Sequence, residues 1–138
     1  EQLFLKLPSK KIAILRLPMV FGAQSPRVNE LKLHLDLDAP IELFPNLIMN
    51  VISDKKVTQQ LHYIINRNKH GIFHLGSKDL VHHDDFIKDL VSKIGATTPK
   101  FKLVYTTNDE RYLAVLPKDN QLPKHLQMYS LELFDNMF

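Results

Sequence analysis

Cysteine is absent from the 138-residue sequence, which excludes disulfides and thiolate chemistry and is compatible with a cytoplasmic protein. Glycine is scarce. Gly22, Gly71, Gly76 and Gly95 are the four present, spaced too widely to build the Gly-x-x-Gly-x-x-Gly turn that holds a dinucleotide pyrophosphate at a helix N-terminus. A concentrated basic run is also missing. The net charge is +3, and Lys, Arg, Asp and Glu are interspersed along the chain, which argues against a grip on nucleic acid or an anionic membrane. A mild cation excess suits a phosphorylated small molecule equally well. No apolar stretch approaches the roughly 20 residues that span a bilayer, and the first residues carry no signal-peptide pattern, so a soluble protein without a membrane partner is expected. Internal repeats and low-complexity tracts are lacking too.

What is there is core-forming material. Hydrophobic residues make up 44% of the chain, enough at this length for one packed domain. Leu3, Phe4 and Leu7 group on one side of a helix broken by Pro8, and the chain opens without Met, as if partway down a longer helix. Residues 11–16 then form a nearly continuous apolar run, the pattern of a strand covered on both faces in a parallel sheet. Ser25 and Pro26 have the character of an N-cap and first helical position for a helix to about Asp36. Here two signals conflict, because Leu31, Leu33, Leu35 and Leu37 alternate with polar residues in the period of a strand. The helix is preferred for residues 30–37, since Leu favours helix and Ser-Pro starts one.

The remaining units alternate in type. IELF and LIMNVI, on either side of Pro45-Asn46, are predicted strands. Ser53 caps a predicted helix with Val57, Leu61, Ile64 and Ile65 as its apolar face, ending near Asn68. Strand 72–75 follows, then a loop GSKDLVHH, then a helix over 84–94 with Phe86, Ile87, Leu90, Val91 and Ile94 on one side and Gly95 as its stop. FKLVYT is a further strand. The remainder mixes short apolar groups with Pro117 and Pro123 and closes in a short helix after Ser130. The fold class is α/β.

The order ILRLPMVFG, PRVNELKLHL, PIELF, NVISDKKVTQQLHYII, GIFHLGS and a helix ending SKIG resembles the C-terminal half of the extended short-chain dehydrogenases, a Rossmann-like family. Within it the chain is most similar to the dTDP-4-dehydrorhamnose reductase and NAD-dependent epimerase/dehydratase group. Leu15-Arg16 and Val20-Phe21-Gly22 match the family's strand and Val-Tyr-Gly turn, and Gly71-Ile72-Phe73-His74 matches its Gly-Ile-Tyr-His strand. The resemblance implies that residues 1–24 end the Rossmann core. Residues 25–138 would then be mostly a small substrate-binding subdomain with a returning core strand and helix. It also implies that residues 1–7 are the second half of the helix that starts with the catalytic Tyr-x-x-x-Lys. No such pair occurs here: the residues four beyond Tyr63, Tyr105, Tyr112 and Tyr129 are Arg67, Asp109, Leu116 and Leu133. No catalytic residue is therefore assigned.

By position in the family, Pro18, Met19 and Val20 would touch the nicotinamide; a loop packing apolar side chains is the plainer alternative. Arg27 and Asn29 stand where the family meets a nucleotide-sugar. A guanidinium can chelate a diphosphate and an amide can bridge it or a sugar hydroxyl, although a solvated helix start explains both residues as well. Arg111 falls in a late segment where relatives often carry an Arg close to substrate. His82-His83-Asp84-Asp85 invites a metal reading, but adjacent helical residues point in different directions, and acids in a first turn favourably oppose the helix dipole. No metal site is assigned. His74 is read as a hydrogen-bonded core residue and Ser53-Asp54 as a cap.

Two functions from different classes follow from the resemblance. The first is the substrate-binding portion of an NAD(P)-dependent nucleotide-sugar reductase or epimerase. There a Tyr made acidic by a neighbouring Lys exchanges a proton with the sugar, while NAD or NADP exchanges hydride. This chain alone would perform neither step and would bind no cofactor by itself. Its partners would be the nucleotide-sugar and an N-terminal dinucleotide-binding half, in an assembly compatible with a homodimer. The second is a non-catalytic binding or regulatory subunit with the same fold.

Overall fold

Short parallel strand pairs linked by helices make up the architecture of the computed structural model, which describes residues 1–8, 12–118 and 121–137. After a helical turn α1 (Gln2–Leu5), strand β1 (Ala13–Arg16) enters, while Lys11 of the predicted strand lies outside the described residues. Strand β2 (Met19–Phe21) leads through Gly22 into helix α2 (Pro26–Asp36). The conflict over residues 30–37 resolves as helix. Ser25 is its N-cap, with its hydroxyl accepting from the Val28 amide, and Pro26 sits in the first turn. The alternating leucines are explained by their exposure: Leu31 is buried, whereas Leu33 and Leu37 face outward. They are therefore no strand face.

Strands β3 (Ile41–Leu43), β4 (Leu47–Met49) and β5 (Val51–Ser53) follow, and the predicted strand LIMNVI is split at Asn50. Helix α3 (Asp54–Asn66) starts on Ser53, whose hydroxyl accepts from the Lys56 amide at 3.1 Å. Then come β6 (Gly71–His74), β7 (Val81–His82), helix α4 (His83–Ile94), β8 (Phe101–Leu103), β9 (Arg111–Leu113), a single 3-10 turn (Lys124–Leu126) and helix α5 (Glu132–Met137). Two of these strands, β7 and β9, fall in segments expected to be irregular. Each is two or three residues long and mostly exposed, so it leaves no period in the sequence.

Strand β1 runs parallel to β6, β2 to β5 and β3 to β8, while β4 lies between antiparallel β7 and parallel β9. Parallel pairs require long crossovers, and the connection from β2 to β5 runs through α2. Helix α4 packs on β3, β4 and β7, and α5 on β5. The core between them centres on three rings. Phe86 meets Phe21 at a centroid distance of 5.1 Å and stacks on Phe134 at 5.6 Å. Burying each such side chain contributes about 1.5–3 kcal/mol. Of the predicted face of α4, Phe86, Ile87, Leu90 and Val91 are buried and Ile94 is half-buried, and Gly95 ends the helix in the left-handed conformation at φ 99°.

The predicted face of α3 needs correction. Ile64 is buried, but Leu61 and Ile65 are exposed, and Gln60 is buried instead. Val57, Gln60 and Ile64 are spaced three and four apart, so the inward stripe passes through a polar residue. Gln60 is accommodated because its amide donates to the Leu126 carbonyl at 2.7 Å, which fastens the 3-10 turn to the helix. Leu61→Ala and Ile65→Ala are accordingly expected to cost less than about 1 kcal/mol each in urea melts. A loss several times larger would restore them to the core.

Candidate functional site

The sequence order Val20-Phe21-Gly22, then Ser25-Pro26, turns the chain sharply from β2 into α2. Register places Phe21 opposite Ser53, so Gly22 comes to lie against the first residue of α3. A Cβ on Gly22 would fall on the Asp54 carboxylate. Glycine is needed there for close approach. The turn sets α2 beside β3 and the start of α4, leaving a cleft of about 390 Å³ between them.

The cleft has an apolar floor of Met19, Phe21, Leu31, Ile41 and Ile87. Its polar groups are Arg27, Glu30 and His34 from α2, Glu42 from β3 and His83 from α4, with Phe44 alongside. Of the residues singled out from the sequence, Met19 and Arg27 come together here. Pro18 and Val20 do not line the cleft. Asn29 is exposed and its amide donates to the Gln24 carbonyl at 3.2 Å, steadying the start of α2. Arg111 lies in β9, paired with Leu47, and exposed away from the cleft.

His83, named from the sequence only within a discounted metal cluster, is brought into the cleft. It is buried, its ring meets Phe44 edge-on at 5.1 Å, and its Nδ1 accepts the Phe44 amide proton at 3.1 Å. The neutral ring is therefore fixed with its proton on Nε2. Burial pushes the His83 pKa below the ordinary histidine value, the positive charge of Arg27 lowers it further, and Asp84 opposes both. Glu30, His34 and Glu42 are the other titratable groups around the cleft. The unfolded chain, with an ordinary value of about 6.5, binds this proton more readily than the folded one. The stability contributed by neutral His83 is thus present above about pH 6.5 and lost as pH falls through the lowered folded value. Urea melts between pH 7.5 and 5 are expected to show wild type losing stability faster than His83→Gln. Parallel losses would remove His83 as the cause.

The other sequence features have structural partners. His74 is half-buried, with Nδ1 donating to the Leu116 carbonyl at 3.0 Å and Nε2 accepting from Arg16 at 3.3 Å. Arg16 in turn holds Glu1 by two hydrogen bonds of 2.7 Å, which draws the Glu1 carboxyl below its usual range. Among the described residues no group of three or more His, Cys, Asp or Glu is placed to hold a metal ion, and no helix is long and apolar enough to cross a membrane. The space above Gly22 holds an anionic carboxylate, that above Gly76 holds the Asn50 amide and the Val115 carbonyl, and Gly71 and Gly95 begin a strand and end a helix.

This α/β arrangement is the fold of the C-terminal part of a Rossmann-like extended short-chain dehydrogenase. The chain is similar to a dTDP-4-dehydrorhamnose reductase from Bacillus anthracis solved with NADP, at a TM-score of 0.75 and 16% identity, over 91% of this chain and 47% of that one. A dTDP-4-dehydrorhamnose reductase from Clostridium acetobutylicum matches at 0.69 and 14%, over 98% and 51%. A UDP-glucuronic acid 4-epimerase from Bacillus cereus, solved with UDP-glucuronic acid and NAD, matches at 0.65 and 15%, over 91% and 42%. The chain thus spans about half the length of these structures. No family model matches it, and no curated protein does.

Proposed function

We propose that the chain is the substrate-binding portion of an NAD(P)-dependent nucleotide-sugar reductase or epimerase, cytoplasmic and without catalytic residues of its own. The observation that carries this reading is the cleft joining Arg27, an exposed cation, to the apolar floor at Met19. A diphosphate could lie against the guanidinium while a flat, less polar group covers the floor. Residues 1–24 would close the Rossmann core, and the parallel pairing of β1 with β6 supports a strand returning to it from the later segment. Binding of NAD or NADP would belong to an N-terminal half, since the glycines here offer no phosphate cradle. No proton or hydride transfer is assigned to these residues; their part is to hold and orient the sugar nucleotide.

Calorimetric titration of the 138-residue chain with NADH and NADPH is expected to give at most millimolar affinity. Micromolar binding would contradict this division of labour. In this reading the roughly 150 residues upstream separate the two function classes. A Gly-rich first loop with Tyr-x-x-x-Lys supports the enzyme, and loss of either supports the binding or regulatory subunit.

A further inference from the structure

The cleft holds two kinds of donor in different states. Arg27 is an exposed, permanently charged fork at the rim. His83 is buried at the junction of β3 and α4, and only one of its ring nitrogens is engaged. Because Nδ1 accepts from the Phe44 amide, the single ring proton sits on Nε2, which makes no hydrogen bond among the described residues although His83 lines the cleft. A neutral N–H donor in a partly desolvated wall can bond a carbonyl or hydroxyl oxygen without a charge being buried there. A phosphate is better served by a cation.

We propose that His83 is a specificity-determining residue of the cleft: a neutral, single-tautomer donor whose Nε2–H bonds a carbonyl or hydroxyl oxygen of the sugar or base, while Arg27 takes the phosphates. This rests on the sugar-nucleotide reading of the same cleft. Loss of the Nε2–H donor would leave a buried acceptor of the ligand unpaired, the situation in which a polar contact discriminates most strongly.

Two substitutions divide the ring's two roles. His83→Asn keeps an acceptor near the position of Nδ1 for the Phe44 amide and removes the outward donor. His83→Gln extends a donor to the position of Nε2. The intact protein is titrated with dTDP-glucose and UDP-glucose by calorimetry, and the His83 tautomer is read from imidazole ¹⁵N shifts at pH 7.5. The expected result is the Nε2–H tautomer, with His83→Asn weakening the better-bound nucleotide-sugar roughly tenfold and His83→Gln staying within about threefold of wild type. A purely structural His83 gives the reverse order, with Asn the better substitute, and that order overturns the proposal. So does an Nδ1–H tautomer. If wild type binds neither compound, the sugar-nucleotide reading fails and this inference with it. If wild type binds and His83→Asn binds equally well, only the role of His83 is overturned.

Discussion

Asn50→Ala is expected to lower stability by about 3 kcal/mol and the melting temperature by roughly 10 °C. Asn50 is fully buried in the gap between β4 and β5. Its Nδ2 donates to the Ser77 carbonyl at 3.0 Å and the Val115 carbonyl at 2.8 Å, and its Oδ1 accepts the Val115 amide at 3.0 Å. Truncation removes all three bonds and leaves backbone groups from two distant segments without partners, at about 1 kcal/mol each. Gly76→Ala should cost a similar amount, because its Cβ would fall on the Asn50 amide and on the Val115 backbone oxygen. The two substitutions strike the same contact. The double variant should therefore lose at least about 1 kcal/mol less than the sum of the single losses in urea denaturation. Additive losses would show that Asn50 and Gly76 do not share one network.

Arg27→Ala in the intact protein is expected to weaken binding of a nucleotide-sugar by about ten- to a hundredfold, the value of a charge-assisted contact of about 1.5–3 kcal/mol. Stability should barely move, since the side chain is exposed at the rim of the cleft. Asn29→Ala should leave affinity unchanged, because its amide is engaged with the Gln24 carbonyl and it does not line the cleft. Calorimetry with dTDP- and UDP-sugars checks both. Equal affinity for wild type and Arg27→Ala would remove the guanidinium from the site, and a loss at Asn29 would show that α2 presents its other face.

The sequence carried those features whose physics is local. Ser25-Pro26 named the start of α2, Ser53 that of α3 and Gly95 the end of α4, and each end forms as its residues dictate. The buried faces were legible only where they were apolar. On α3 the stripe passes through Gln60, whose burial depends on a carbonyl 66 residues later. Nothing near position 60 announces that. His83 could have been found. Counting three back from Phe86 and four back from Ile87 puts it on the same stripe as Leu90, Val91 and Ile94, one turn before the apolar residues begin. A histidine at the buried start of an apolar stripe has one nitrogen to satisfy inside and another free to act. Strand β9, and with it the placement of Arg111 away from the cleft, depends on pairing with β4 across more than 60 residues, which no local pattern records.

The central claim is that a sugar nucleotide lies in the cleft between α2, β3 and the start of α4. The four methionines of this chain offer a direct reading of it. Met19 lines that cleft, Met49 is buried in β4, Met128 lines a separate pocket beside Lys78 and Tyr129, and Met137 is buried in α5. With the intact protein labelled at ¹³C-methyl methionine and Met19 assigned through Met19→Leu, titration with dTDP-glucose and UDP-glucose should move the Met19 methyl saturably. Met128 should stay in place. Saturable binding that leaves Met19 unmoved, or that shifts Met128 instead, would contradict the account.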